Sequence, residues 1–312
     1  LKEKKIQRVH TFPGGTIAPL YDAMKKTGIH LFCACHEQGA GYAALAEARL
    51  TNTPRVVMVT SGPGVTNLVT VVADAFFDST PLVAITGQVG TADLLSGRPV
   101  RQSGFQQVNT SALMTPVCKK VFLPLCPDDL PEILEEAFSL ALEGRPGPVV
   151  VDMPMDVQRS PMVRGVEPGL PMESKTLPQP DPDSMETAAR WIAEAKKPVI
   201  LAGQGVLISR AQDGLRTLAG GLKIPVVTSL LGIGAYPTRD GLSLGFMGHT
   251  GNQYAGKAVR ASDLLIVLGA RLDVRQTGTV VQDFLPHGRI IRVDVDSTEL
   301  DHARVKTHLN LK

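Results

Sequence analysis

Short apolar runs followed by helical stripes constrain this chain most. Arg55-Val56-Val57-Met58-Val59-Thr60 is apolar at every inner position, as a strand covered on both faces must be. A glycine turn, Ser61-Gly62-Pro63-Gly64, follows it. Then Val65, Leu68, Val69, Val72, Ala73 and Phe76 recur at helical spacing. The pattern returns at Gln7–Phe12, Ile29–Cys35, Pro81–Thr86, Val117–Leu123 and Pro148–Met153, each run followed by a turn or helix. Strands alternating with helices predict a doubly wound α/β fold with a parallel sheet.

The alternation stops at residues 156–184, where prolines cluster and periodicity is lost (Pro161, Pro168, Pro171, Pro178, Pro180, Pro182, with Pro154 just before). It restarts with a helix over Met185–Ala195 and strands at Pro198–Ala202, Pro225–Thr228, Leu264–Leu268 and Arg289–Asp294. Leu207–Leu222 reads mostly as helix and 231–251 as a glycine-rich stretch. The expectation is two doubly wound parallel-sheet domains, 1–155 and 185–312, joined by a linker over 156–184. A length of 312 residues suits two domains, and 43% hydrophobic residues can build both cores.

Composition also narrows function. With 32 basic and 30 acidic residues there is no basic footprint for nucleic acid. No apolar run is long enough to span a bilayer, and no signal-peptide core follows Leu1-Lys2-Glu3-Lys4-Lys5. Cys33 and Cys35, two apart on one strand, read as buried thiols in a reducing cytoplasm. The sequence places no metal-ligand cluster, so no metal site is expected within this chain.

Two motifs stand at strand ends, where open parallel sheets bind ligands. His36-Glu37-Gln38-Gly39 sets a carboxylate at the start of a small-residue helix containing Ala40, Ala43, Ala44 and Ala46. Taken alone, Glu37 reads first as an acid favoured by the helix macrodipole, with an acid–base role as the alternative. Ser61–Gly64 reads as a structural turn or a close-approach loop, and residues 90–104 as an active-site loop.

Taken in order, Phe12-Pro13-Gly14-Gly15, His36-Glu37-Gln38-Gly39-Ala40 and Thr60-Ser61-Gly62-Pro63-Gly64-Val65-Thr66-Asn67-Leu68 resemble the pyrimidine-binding domain of thiamine diphosphate enzymes. Ile85-Thr86-Gly87-Gln88-Val89, Gly104-Phe105-Gln106 and Gly144-Arg145-Pro146-Gly147-Pro148-Val149 extend the likeness toward the acetohydroxyacid (acetolactate) synthase group. Ser262-Asp263-Leu264-Leu265, Gly269-Ala270-Arg271-Leu272-Asp273 and Asp294-Val295-Asp296-Ser297 resemble its Rossmann-like central domain.

The resemblance implies a catalytic Glu37 hydrogen-bonded to the cofactor pyrimidine. Pro13, Gly14, Gly15, Ser61, Gly62, Pro63, Gly64, Asn67 and Gln88 would lie on the thiamine diphosphate side, and Phe105 and Gln106 on the substrate side. Arg271 and Asp273 are its candidates for flavin adenine dinucleotide (FAD). The implied reaction decarboxylates pyruvate and transfers its two-carbon unit to a second 2-oxo acid, in a cytoplasmic homodimer or homotetramer. Another 2-oxo-acid decarboxylase or oxidase, or a non-catalytic nucleotide-binding module, stays open.

The family holds Mg²⁺ through a Gly-Asp-Gly motif in a third domain, and that motif does not occur here. The resemblance therefore implies two domains of a three-domain enzyme, inactive alone. Gln107 stands where the group usually has Glu, and Ser103-Gly104 where it has Asp-Ala.

Overall fold

The computed structural model of the chain describes residues 1–163 and 179–312. These divide into two compact units, Leu1–Lys175 and Thr176–Lys312.

In the first unit β1 (Arg8–Thr11), β2 (His30–Cys33), β3 (Arg55–Val59), β4 (Leu82–Gln88), β5 (Lys120–Phe122) and β6 (Pro148–Pro154) form one sheet. Their order is β2-β1-β3-β4-β6-β5, and every pair is parallel. The apolar runs are continuous because the pleat sends alternate residues to two cores. Val56 and Met58 join Ile17, Met24 and Phe138 on one face, while Val57 and Val59 join Ala44, Leu68 and Val72 on the other.

Three helices deliver the site. α1 (Ala18–Thr27) ends on Gly28 at φ 72°, α2 (Glu37–Thr51) begins at His36, and α3 (Pro63–Phe77) begins at Gly62. The small residues of α2 bring α3 close: a Cβ on Gly41 would lie 2.9 Å from Leu68 Cδ1 and from Val71.

β2 corrects two expectations. It lies at the sheet edge, so three of its four residues are exposed rather than covered on both faces. Cys33 and Cys35 are accordingly exposed, not buried. A strand's own sequence does not say whether a neighbour closes its second edge.

Much of the expected linker, with Pro168, Pro171 and Pro178, lies outside the described residues. Before it, Met155–Arg159 is a short helix with Val157 buried. After it, Asp181 accepts from Ser184 N and caps a helix that starts at Pro182, three residues before Met185.

The second unit repeats the architecture. β7 (Pro198–Ala202), β8 (Val226–Thr228), β9 (Ser243–Phe246), β10 (Leu264–Leu268), β11 (Arg289–Val293) and β12 (Leu309–Leu311) pair in the order β12-β11-β10-β7-β8-β9, all parallel. The helix expected over 207–222 is two helices, Gln204–Ile208 and Gln212–Leu222, with Arg210 at φ 56° between them. β9 lies inside the glycine-rich stretch. Among the described residues no helix is long and apolar enough to cross a membrane.

Candidate active site

β1 leads to β2 on one side, and the chain then returns past β1 to β3 on the other. That reversal opens a crevice at the carboxyl ends of β1 and β3, the place where such sheets bind ligands. The turn after β1 and the turn after β3 meet there. A Cβ on Gly14 would fall 2.6 Å from Thr60 Cγ2, so only glycine fits. The hydroxyls of Thr16 and Thr60 are 2.8 Å apart, and Ser61 N donates to Thr16 Oγ1 at 2.9 Å.

Glu37 enters from the neighbouring strand as the first residue of α2. His36, just before it, caps the helix by accepting from Gln38 N through Nδ1. The carboxylate is buried, 5% exposed, a rare state for Glu without partners. Asn67 Nδ2 donates to its Oε2 at 2.9 Å. Its Oε1 faces the first turn of α3, 3.7 Å from where a Gly64 Cβ would stand. A Cβ on Gly64 would also press on Thr60 Cγ2 at 2.9 Å, so this glycine keeps an approach to the carboxylate clear. Ser61 is fully buried, and its Oγ has no hydrogen-bond partner among the described residues. Pro13 and Gly15 are exposed at the rim, as is Pro63 in the first turn of α3.

The structure thus brings together Gly14, Glu37, Ser61, Gly62, Gly64 and Asn67. Gly62 has φ 63°, and a Cβ there would meet Gln106 Cβ at 2.8 Å and Gln106 O at 2.9 Å. Gln106 has φ 61°, a conformation costly for a side-chain-bearing residue and typical of functional loops. Phe105 beside it is 84% exposed, so its ring is not core. The loop closes on itself: Gln107 Oε1 accepts from Ser103 N at 2.7 Å and Gly104 N at 3.2 Å.

Gln88 is the exception. It is buried at 1% exposure. Its amide hydrogens go to Asp152 Oδ2 and Val108 O, each at 2.9 Å, and its Oε1 accepts from Val89 N. The expected cofactor contact is therefore corrected to an internal one.

Sequence reading missed Thr16, Thr60 and Asp152. An acid inside the apolar run Pro148–Met153 was the available signal for Asp152, since a buried carboxylate requires partners.

In the second unit the chain reverses between β7 and β10. The turns after these strands touch main chain to main chain: a Cβ on Gly205 would lie 2.7 Å from Gly269 Cα. Asp273 accepts from Arg275 N at 2.9 Å and Gln276 N at 3.3 Å, capping the helix Val274–Thr277. The exposed Arg271 reaches its Oδ2 at 3.5 Å. Arg292, fully buried and unforeseen, donates to Arg271 O at 3.0 Å and Glu299 O at 2.5 Å.

Comparison with known proteins agrees with both units. Residues 1–113 match the family described as thiamine pyrophosphate enzyme, N-terminal TPP binding domain, and residues 185–311 match thiamine pyrophosphate enzyme, central domain. This chain carries the N-terminal and central domains of thiamine pyrophosphate enzymes. Among relatives of these thiamine pyrophosphate domains, the acetolactate synthase large subunit of Corynebacterium glutamicum is 41% identical over 302 residues, covering 96% of this chain and 47% of that protein. The isozyme 1 and isozyme 2 large subunits of Escherichia coli are 40% and 39% identical, with 52% and 55% of their lengths covered. The chain spans about half the length of the relatives it matches.

Proposed function

We propose that the protein works in thiamine diphosphate-dependent carboligation, decarboxylating pyruvate and passing the two-carbon unit to a second 2-oxo acid. The buried Glu37 carboxylate carries this reading: one oxygen is held by Asn67 and the other faces the glycine turn. The fit rests on the approach that Gly64 leaves clear and on the unpartnered, buried Ser61 Oγ. The acetolactate synthase relatives support the same reaction.

When bound, the cofactor supplies the electron sink for decarboxylation. Glu37 Oε1 would hold or give a proton at the pyrimidine ring, while Asn67 fixes the orientation of the carboxylate. The main chain of Gly14, Gly15 and Ser61–Gly64 would frame the ring, with Pro13 and Pro63 stiffening the two turns. Phe105 would shield the reacting centre from water, and Gln106 would face the substrate.

Mg²⁺ belongs to the proposal as an ion held outside this chain's residues. FAD is proposed for the crevice between β7 and β10, with Arg271 offering positive charge and Asp273 orienting it. Exposed Phe32 and Tyr42 on β2 and α2 support assembly as a homodimer or homotetramer. A cytoplasmic location and the division 1–155, 156–184 and 185–312 are part of the same reading.

The test is Glu37→Gln in the full-length protein, which keeps shape and removes the acid. Pyruvate turnover should fall by about 10²–10⁴-fold. Turnover near the wild-type rate would overturn the assignment.

A further inference from the structure

We infer that Asp152 and Gln88 form an anchor that sets the position of the loop carrying Phe105 and Gln106, and so act as positioning residues for the proposed reaction. The catalytic half of this inference rests on the function proposed above. The structural half does not.

Asp152 lies in β6 opposite Thr86 of β4 and is 4% exposed. Burying a carboxylate is costly unless its oxygens are hydrogen-bonded, so they must be satisfied in place. Hydroxyl and amide donors do this: Thr86 Oγ1 donates to Oδ1 at 2.6 Å and Gln88 Nε2 to Oδ2 at 2.9 Å, with the Thr110 hydroxyl 3.5 Å from the same Gln88 nitrogen. Burial pushes the Asp152 carboxyl above its ordinary range, against the pull of the Thr86 and Gln88 donors. The carboxylate thereby holds β4 to β6 in one geometry, and Gln88 carries the link on to Thr110 at the start of the helix Thr110–Met114.

From there the restraint passes to the loop. The second amide hydrogen of Gln88 goes to Val108 O at 2.9 Å, and Thr110 N donates to the same oxygen at 3.0 Å. The other end of the loop sits on Val89, whose N–H donates to Gln88 Oε1: a Cβ on Gly104 would lie 2.8 Å from Val89 Cγ1. Between these supports Gln107 Oε1 accepts from Ser103 N and Gly104 N, closing the loop around Phe105 and Gln106. Gln106 in turn presses on Gly62 of the glycine turn. A buried carboxylate in β6 thus fixes how the Phe105–Gln106 loop meets the Glu37 site.

Arg101, exposed in the segment leading into the loop and followed by Gln102, reports on this directly. In Gln88→Leu and Asp152→Asn, tryptic cleavage after Arg101 should rise about tenfold or more, as a loop that has lost a hydrogen bond to a charged group opens more often. Thr110→Ser, which keeps the hydroxyl, should cleave at the wild-type rate. Thermal unfolding of each variant separates local opening from global loss. If Asp152→Asn does not fold, Gln88→Leu decides alone. Unchanged cleavage in Gln88→Leu overturns the anchor. In the full-length protein the same variants should raise KM for the 2-oxo acid more than they lower kcat. Raised cleavage with wild-type KM and kcat overturns the positioning role. A wild-type protein that does not turn over 2-oxo acids overturns the proposed function and, with it, the positioning role, leaving the cleavage test to decide the anchor.

Discussion

Asn67 Nδ2 donates to Glu37 Oε2 at 2.9 Å, tying α3 to the first residue of α2 across the end of the sheet. The bond fixes which carboxylate oxygen is occupied and which stays available. Hydrogen bonds to charged groups contribute about 1.5–3 kcal/mol. Asn67→Leu should therefore lower the unfolding temperature and weaken thiamine diphosphate binding about tenfold. Calorimetric titration of the full-length variant checks this, and unaltered affinity would show that Asn67 does not orient Glu37.

Gly14 and Gly15 are adjacent but should respond oppositely to alanine. The added Cβ at Gly14 meets Thr60, whose own side chain is held by Thr16, whereas nothing lies within 4 Å of one at Gly15. Gly14→Ala should cost about 1–3 kcal/mol through overpacking. Gly15→Ala should stay within about 0.5 kcal/mol of wild type. Denaturant unfolding of the two variants side by side distinguishes them, and equal stabilities would refute the close approach.

β3, β4, β6, β7 and β10 were legible because each is short, apolar on both faces and followed by punctuation. The glycine turns and Glu37 were legible as motifs. What depends on distant partners was not. Nothing near His30–Cys33 says that the strand lies at an edge, so Cys33 and Cys35 were misjudged. The family resemblance puts Gln88 on the cofactor side, and no local pattern reveals the residue that holds it, Asp152, 64 positions away. β9 and β12 escaped notice since four and three residues give too short a period to separate from a loop.

Acid should act on the second unit through Asp263. Burial raises its pKa, but hydrogen bonds from Lys196 N at 2.7 Å and Lys197 N at 2.9 Å outweigh that and hold it below the ordinary carboxylate range. A carboxylate with a depressed folded-state pKa stabilises above its unfolded value, and that contribution is lost as pH falls through the folded value. Asp263→Asn should be less stable than wild type at neutral pH, and the gap should close below about pH 3.9. Paired thermal melts from neutral to acid pH test this. A gap independent of pH would mean that the carboxylate charge contributes nothing.

Thiol chemistry should follow exposure. Cys33, Cys35 and Cys126 are exposed, whereas Cys118 is buried and its thiol is pushed up to about 11 by that burial. A disulfide reagent should modify the first three within the native chain and Cys118 only after unfolding. Mass spectrometry locates the modified sites, and rapid labelling of Cys118 would contradict its burial.

The strand order also dictates an order of events in time. β5 hydrogen-bonds to β6 alone, yet it precedes β6 in the chain. A growing polypeptide can assemble β2-β1-β3-β4 as each strand arrives, but β5 must wait unpaired until residues 148–154 emerge. The same strand, β6, carries Asp152. The last strand to join the first sheet therefore both recruits β5 and brings the carboxylate that seats the Phe105–Gln106 loop, so the loop reaches its working position only when the sheet is complete.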